Sequence, residues 1–125
     1  MATVLIVEDE FAIADLLEMV FADEGYRVLT AANGHQGLER LAEGPLPDLV
    51  ICDYMMPVLD GAGLLRAMRD TEAHRDIPCI VISSMPEANV RQRIDGYTAF
   101  LRKPFQLVAL VQLAATIVSA SRPRS

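Results

Sequence analysis

The fold class that this sequence predicts is α/β, an open and doubly wound parallel sheet of five strands with five helices. Three observations carry the prediction. Short apolar runs alternate five times with helical stripes across short connections. The first, third and fourth runs are apolar throughout, as strands covered on both faces must be. The length of 125 residues suits one domain and one core.

In chain order, the first strand is Val4-Leu5-Ile6-Val7. Ile13, Leu16, Leu17, Val20 and Phe21 then stand at i, i+3, i+4, i+7 and i+8, and Gly25 closes the helix they imply. Arg27-Val28-Leu29-Thr30 is the second strand, and Leu38, Leu41 and Ala42 mark the second helix. Leu49-Val50-Ile51-Cys52 is the third strand, followed by a helix marked by Leu64, Leu65 and Met68. After the fourth strand, Cys79-Ile80-Val81-Ile82, Val90 and Ile94 indicate a short helix. The last strand is Ala99-Phe100-Leu101, and a long helix follows on Leu107, Leu110, Val111, Ala114, Ile117 and Val118. Residues 1–120 form the expected domain, and 121–125 read as a short C-terminal tail.

Composition narrows the function. With 52% hydrophobic and 22% charged residues the chain is too apolar to be disordered. Eleven Lys+Arg against 17 Asp+Glu leave no basic footprint, so no direct nucleic-acid binding is expected. The N-terminus lacks a basic n-region, and the longest uncharged stretch, Phe105 to Ser121, is interrupted by Gln106, Gln112 and Thr116. A soluble, cytoplasmic protein that does not enter the membrane is expected. Cys52 and Cys79 sit inside apolar runs, without CxxC spacing, and read as small buried hydrophobes. His35 and His74 lie among polar residues and read as solvated. Of 11 basic residues only Lys103 is a lysine, which suggests a place where arginine will not serve.

Ligands of open parallel sheets bind outside the carboxyl ends of the strands. There the first strand runs into Glu8-Asp9-Glu10, and the third ends at Asp53. If these strands are neighbours, their carboxylates converge within a few ångströms, which raises a pKa unless a cation neutralises them. Hard oxygen ligands on one side suit Mg²⁺ with retained waters better than a Ca²⁺ cage. Glu8 and Glu10 fit equally well as solvated acids complementing a helix dipole, although that leaves Asp53 unexplained. Asp53 opens the segment Asp53-Tyr54-Met55-Met56-Pro57-Val58-Leu59-Asp60-Gly61, where Pro57 and Gly61 turn the chain out of the strand. The fourth strand ends at Ser83-Ser84 and the fifth at Arg102-Lys103-Pro104. The fifth strand lies two strand spacings from the third, roughly 9 to 10 Å, a gap that a long flexible cation can bridge. Together these groups describe a site for an anion on Asp53.

Essentially the whole chain resembles a response-regulator receiver domain of two-component signalling, of the stand-alone type. The family pattern is an acidic pair, an Asp opening DxxMPxxDG, a Thr or Ser, and Lys-Pro at successive strand ends. It falls on Glu8 with Asp9, on Asp53 with Met56, Pro57, Asp60 and Gly61, on Ser83, and on Lys103 with Pro104. The resemblance implies the flavodoxin-like strand order 2-1-3-4-5. It implies that Asp53 accepts a phosphoryl group from a sensor histidine kinase or a histidine phosphotransfer protein, as in a phosphorelay. Mg²⁺ is then held by Asp9, Asp53 and the main-chain carbonyl of Met55, with Glu8 acting through water. Ser83 bonds the phosphoryl oxygen, Lys103 balances its charge, and Phe100 takes the place of the aromatic switch residue. The Lys103-Pro104 bond is expected to be cis.

By the same resemblance the chain is a signalling phosphoacceptor rather than an enzyme, catalysing only its own Mg²⁺-dependent phosphorylation and slow dephosphorylation. Slowness is expected because neither Met55 nor Met85 can orient a water. The expected output surface is helix four, strand five and helix five, used for a downstream protein target or a homodimer. Helix five carries Val108 and Ala115 on one flank and Leu113 on the other. The lack of an output domain implies action through a partner, unless the chain belongs to a longer regulator. Glu8 stands for the commoner Asp and Ser84 for a frequent Ala. The interval from Ser83 to Lys103 is shorter than usual, so helix four or its leading loop is abridged between Met85 and Asp95. A haloacid-dehalogenase-like hydrolase needs a general acid where Met55 stands, and a flavodoxin-like carrier would have its phosphate repelled by Glu8-Asp9-Glu10. A scaffold-only pseudo-receiver would not need the intact constellation.

Overall fold

Five strands and five helices alternate along the computed structural model, which describes residues 1–121: β1 (Thr3–Val7), α1 (Phe11–Asp23), β2 (Arg27–Ala31), α2 (Gly34–Glu43), β3 (Leu49–Asp53), α3 (Gly61–Asp70), β4 (Cys79–Ser83), α4 (Glu87–Arg91), β5 (Ala99–Arg102) and α5 (Leu107–Ser121). Beyond Ser121 the expected tail lies outside the described residues. All strand pairs are parallel, in the order β2-β1-β3-β4-β5. The three apolar runs β1, β3 and β4 occupy the middle of the sheet and are buried at every position.

Alternation along each central strand divides the core in two. Val4, Ile6, Leu49, Ile51, Ile80 and Ile82 face α1 and α5, where Leu17, Phe21, Leu110 and Ala114 pack on them. Leu5, Val7, Val50, Cys52, Cys79 and Val81 face α2, α3 and α4, against Leu41, Leu64, Leu65, Met68 and Val90. Both cysteines are thus core residues, and burial pushes the Cys79 thiol up to about 12 and raises that of Cys52 well above its usual value. No helix of the described residues is long and apolar enough to cross a membrane.

Gly25, at φ 96°, ends α1 as its position predicts. Its N–H bonds the carbonyl of Ala22, that of Tyr26 bonds Phe21, and the two rings meet edge to face at 5.3 Å. Leu16 departs from the predicted stripe and is 41% exposed. Leu17 and Phe21, four residues apart, already fill the line of contact with the sheet, and Leu16 projects a quarter-turn away. Ala42 is exposed for the same reason beside the buried Leu41. On α5, Val108 and Ala115 are exposed, but Leu113 packs partly on the core and does not widen the outer face. His74, expected in solvent, is half-buried with a buried Nδ1.

The segment expected to be abridged holds a helix of five residues, α4, with Val90 buried inside it and Ile94 buried just beyond. Arg69 holds the neighbouring turn. From α3 its guanidinium donates to the carbonyls of Gly96, Arg75 and Ile77, the shortest bond being 2.7 Å to Gly96. Arg69→Ala is expected to lower stability by about 1 to 3 kcal/mol, because the loops before β4 and β5 lose their shared donor. Urea unfolding with an unchanged midpoint would contradict that role.

Candidate functional site

Adjacency in the sheet decides which strand ends meet. Val7 of β1 lies in register with Cys52 of β3, so Glu8 and Asp53, one residue further, stand side by side. Asp53 is opposite Ile82 of β4, and Ser83 opposite Arg102 of β5, which brings all four strand ends to one edge. Main-chain bonds continue the ladders past the strands: Glu8 N–H to Ala31, Tyr54 N–H to Ile82 and Lys103 N–H to Ser83. Glu8 and Asp53 are therefore held at the ends of paired backbone, and Asp9 stands in the bend that follows Glu8.

One oxygen from each of Glu8, Asp9 and Asp53 lies within 4.8 Å of the others. Lys103 reaches across from β5, its Nζ donating to Asp53 Oδ2 at 3.1 Å and standing 3.7 Å from Glu8 Oε1. Asp53 and Glu8 are only 6% and 5% exposed. Burial raises the Glu8 carboxyl from 4.5 to about 7, opposed by the N–H of Glu10 and by Lys103, and reinforced by the Asp53 charge. Burial also pulls the Lys103 ammonium down, but the bond to Asp53 and the charges of Asp53 and Glu8 outweigh it, and its pKa rises. The site thus has more buried negative charge than one lysine neutralises. Oxygen donors gathered on one side fit a hard divalent cation that keeps some of its waters.

Met55 is 60% exposed in the loop after β3. Ser83 is fully buried, and its Oγ accepts from the Met85 N–H at 3.0 Å rather than bonding Asp53 or Lys103. Phe100 is half-buried on β5 and packs at the edge of the α3 and α4 face. The Lys103-Pro104 peptide is cis, as expected. Asp60 caps α3 by accepting from Gly63 N–H, and Gly61 N–H bonds the Tyr54 carbonyl. A Cβ on Gly61 would lie 2.9 Å from both Asp53 O and Tyr54 Cα, backbone atoms that cannot yield without moving Asp53. Gly61→Ala is expected to destabilise by about 1 to 3 kcal/mol and to weaken divalent-cation binding with it. A variant with unchanged stability and cation affinity would show that the loop tolerates the shift.

Sequence reasoning missed Arg69 and Tyr97. Tyr97 bonds Glu87 and Arg91 on α4 while its ring meets Phe100, and only its place beside Gly96 and ahead of β5 could have drawn attention to it.

An acidic cluster with a lysine at the carboxyl edge of a 2-1-3-4-5 sheet defines a class of phosphoryl- or metal-handling α/β domain. Comparison with known proteins makes it specific: the chain belongs to the response regulator receiver domain family, whose model matches residues 4–115. It is 40% identical over 119 residues to the sensor kinase CckA of Brucella abortus, an alignment covering 93% of this chain and 12% of that kinase. The chain also spans only 36% to 55% of the length of several transcriptional regulators that it matches. Among solved structures it is similar to the receiver domain of a signal transduction histidine kinase from Syntrophus aciditrophicus, at TM-score 0.90 and 30% identity, covering 100% of this chain and 96% of that one. The receiver domain of the Pseudomonas aeruginosa histidine kinase PA1611 superposes at TM-score 0.83 and 28% identity over 94% of this chain and 98% of its own, and it has magnesium coordinated in its active-site cleft. The flavodoxin-like fold and the role of a two-component signalling domain follow from this membership.

Proposed function

We propose that Asp53 accepts a phosphoryl group from the phosphohistidine of a sensor histidine kinase or histidine phosphotransfer protein. In the transfer the P–N bond to the histidine breaks and a P–O bond to an Asp53 carboxylate oxygen forms, leaving an acyl phosphate. One observation carries the reading: Lys103 Nζ lies 3.1 Å from Asp53 Oδ2, beside the convergent oxygens of Glu8 and Asp9. A cation that reaches over two strands to one carboxylate is placed to balance charge added there.

Asp9, Asp53 and the Met55 carbonyl are the proposed Mg²⁺ ligands, with Glu8 acting through water. When bound, the ion supplies charge neutralisation for a phosphoryl group that adds about two negative charges next to the acids. Ser83 then donates its hydroxyl to a phosphoryl oxygen, and Lys103 turns from the free carboxylate to the phosphoryl group. Met55 and Met85, two residues beyond Asp53 and Ser83, resemble the family positions that flank a water's approach, and neither can orient a water, which supports slow hydrolysis. A cytoplasmic location follows from a kinase as phosphodonor.

Incubation with acetyl phosphate tests this reading. One phosphoryl group per chain is expected with Mg²⁺ and none with excess EDTA. Labelling undiminished by chelation, or absent with Mg²⁺, overturns it.

Output is assigned to α4, β5 and α5, through a partner or a second copy. By the family resemblance this face carries Phe100, and α5, without charge from Leu107 to Ser121, adds Val108 at 64% exposure. Val108→Glu is expected to reduce phosphorylation-dependent association at least about fivefold while leaving labelling intact. Sedimentation with and without beryllofluoride checks it, and an unchanged association would move the output surface elsewhere.

A further inference from the structure

We propose that Tyr97 is a latch that ties the short helix α4 to Phe100 while Asp53 is a free carboxylate, and that phosphorylation works against it. The inference rests on the phosphoacceptor reading of Asp53. The Tyr97 hydroxyl donates to Glu87 Oε2 at 2.8 Å and accepts from Arg91 Nε at 3.0 Å. Arg91 itself reaches the same Glu87 oxygen, from Nη2 at 3.0 Å and Nε at 3.2 Å. Both partners lie on α4, one turn apart, and the ring of Tyr97 packs 6.3 Å from that of Phe100. One side chain thus touches the helix at its hydroxyl and the β5 aromatic at its ring.

A helix of five residues has no stability of its own, so tertiary bonds decide where it sits. Buried Val90 is one anchor, and the Tyr97 hydroxyl with its ion pair is another. The first residue of that helix, Glu87, is close in sequence to the site. Ser83 Oγ accepts from the Met85 N–H at 3.0 Å, and Met85 is followed by Pro86, the N-cap, and then by Glu87. A Ser83 hydroxyl drawn toward a phosphoryl group on Asp53 either pulls Met85 with it or releases its N–H. Either change moves the lead into Glu87, and the 2.8 Å bond from Tyr97 is the side-chain contact from β5's approach that such a shift strains.

The latch is closed here with Asp53 Oδ2 bonded by Lys103 Nζ, the arrangement of the unmodified carboxylate. A contact made in one arrangement and broken in the other biases the equilibrium toward the first. Removing it therefore favours the phosphorylated arrangement. Because Arg91 is exposed and Glu87 only half-buried, the bias is modest.

The experiment titrates wild type, Tyr97→Phe, Glu87→Ala and the double variant with beryllofluoride in Mg²⁺, and follows amide exchange of α4 without it. Tyr97→Phe keeps the ring and is expected to tighten beryllofluoride binding about two- to fivefold. Glu87→Ala should act in the same direction, and the double variant by less than the sum of the two, since both remove the Tyr97–Glu87 bond while each also removes one contact of Arg91. Exchange of the α4 amides should quicken in each variant by a similar factor, whether or not the site binds beryllofluoride. Unchanged α4 exchange in Tyr97→Phe, or faster exchange with equal or weaker beryllofluoride binding, overturns the latch. If wild type itself fails to bind beryllofluoride, the phosphoacceptor reading falls and the coupling falls with it, while α4 exchange still reports separately whether Tyr97 holds the helix.

Discussion

Replacing Asp53 with asparagine abolishes labelling by acetyl phosphate while the fold persists. Asparagine matches aspartate in shape, so the core under the site is undisturbed, but its amide is not a nucleophile for phosphorus. Glu8 is the alternative acceptor within reach of Lys103, and it is the poorer one. Its carboxyl, raised to about 7, is partly protonated at neutral pH, and it lies 3.7 Å from Nζ where Asp53 lies at 3.1 Å. Lys103→Met, which keeps the apolar stem and removes the charge, is expected to slow labelling about a hundredfold, the usual effect of losing one group that stabilises developing charge. It also removes the cation that holds Glu8 down, so the carboxyl rises further. Mass spectrometry of intact protein over time follows both variants. Stoichiometric labelling of Asp53→Asn would sink the assignment, and wild-type rates in Lys103→Met would leave the lysine without a role in transfer.

Asp53 and Lys103 are legible in the sequence because each stands at a strand end, where a one-dimensional pattern has a three-dimensional meaning. An apolar run that stops at an acid fixes where the acid points once the sheet is parallel. Gly25 was legible in the same way, as local chemistry in which a positive φ ends a helix. Leu16 and Ala42 were misjudged because apolar periodicity defines an arc, while the sheet covers only the part of it that Leu17, Phe21 and Leu41 fill. Arg69 and Tyr97 were not legible at all. Their bonds run to main-chain carbonyls and to α4 side chains that the loop paths bring near, and no spacing rule encodes those paths. The acidic pair lies between these cases: its convergence was readable, but that Glu8 rather than Asp9 is buried depends on which face of the sheet edge each side chain takes.

Without divalent cations the protein is expected to lose stability as pH rises from about 5 to 7, and Mg²⁺ is expected to remove that loss. Glu8 has a folded-state pKa of about 7, above the ordinary value of 4.5. Between those values the folded state keeps a proton that the unfolded chain has released. More protons bound in the folded state mean that stability falls with rising pH across this window and levels off above it. Each pKa unit corresponds to about 1.4 kcal/mol, so the loss is at most about 3.5 kcal/mol. Lys103, raised from 10.5, stays charged throughout the window and contributes no slope there. A divalent cation binds the ionised carboxylates and stabilises the form that burial penalises, so its affinity should rise with pH over the same range. Glu8→Gln removes the titrating group, and its metal-free stability should vary less with pH than wild type while its Mg²⁺ affinity falls. Urea unfolding of both proteins between about pH 5 and 8, in EDTA and in Mg²⁺, isolates Glu8 as the difference between them. If the two metal-free curves run parallel, the buried carboxyl is not what destabilises the site, and the demand for a cation must come from the phosphoryl group alone.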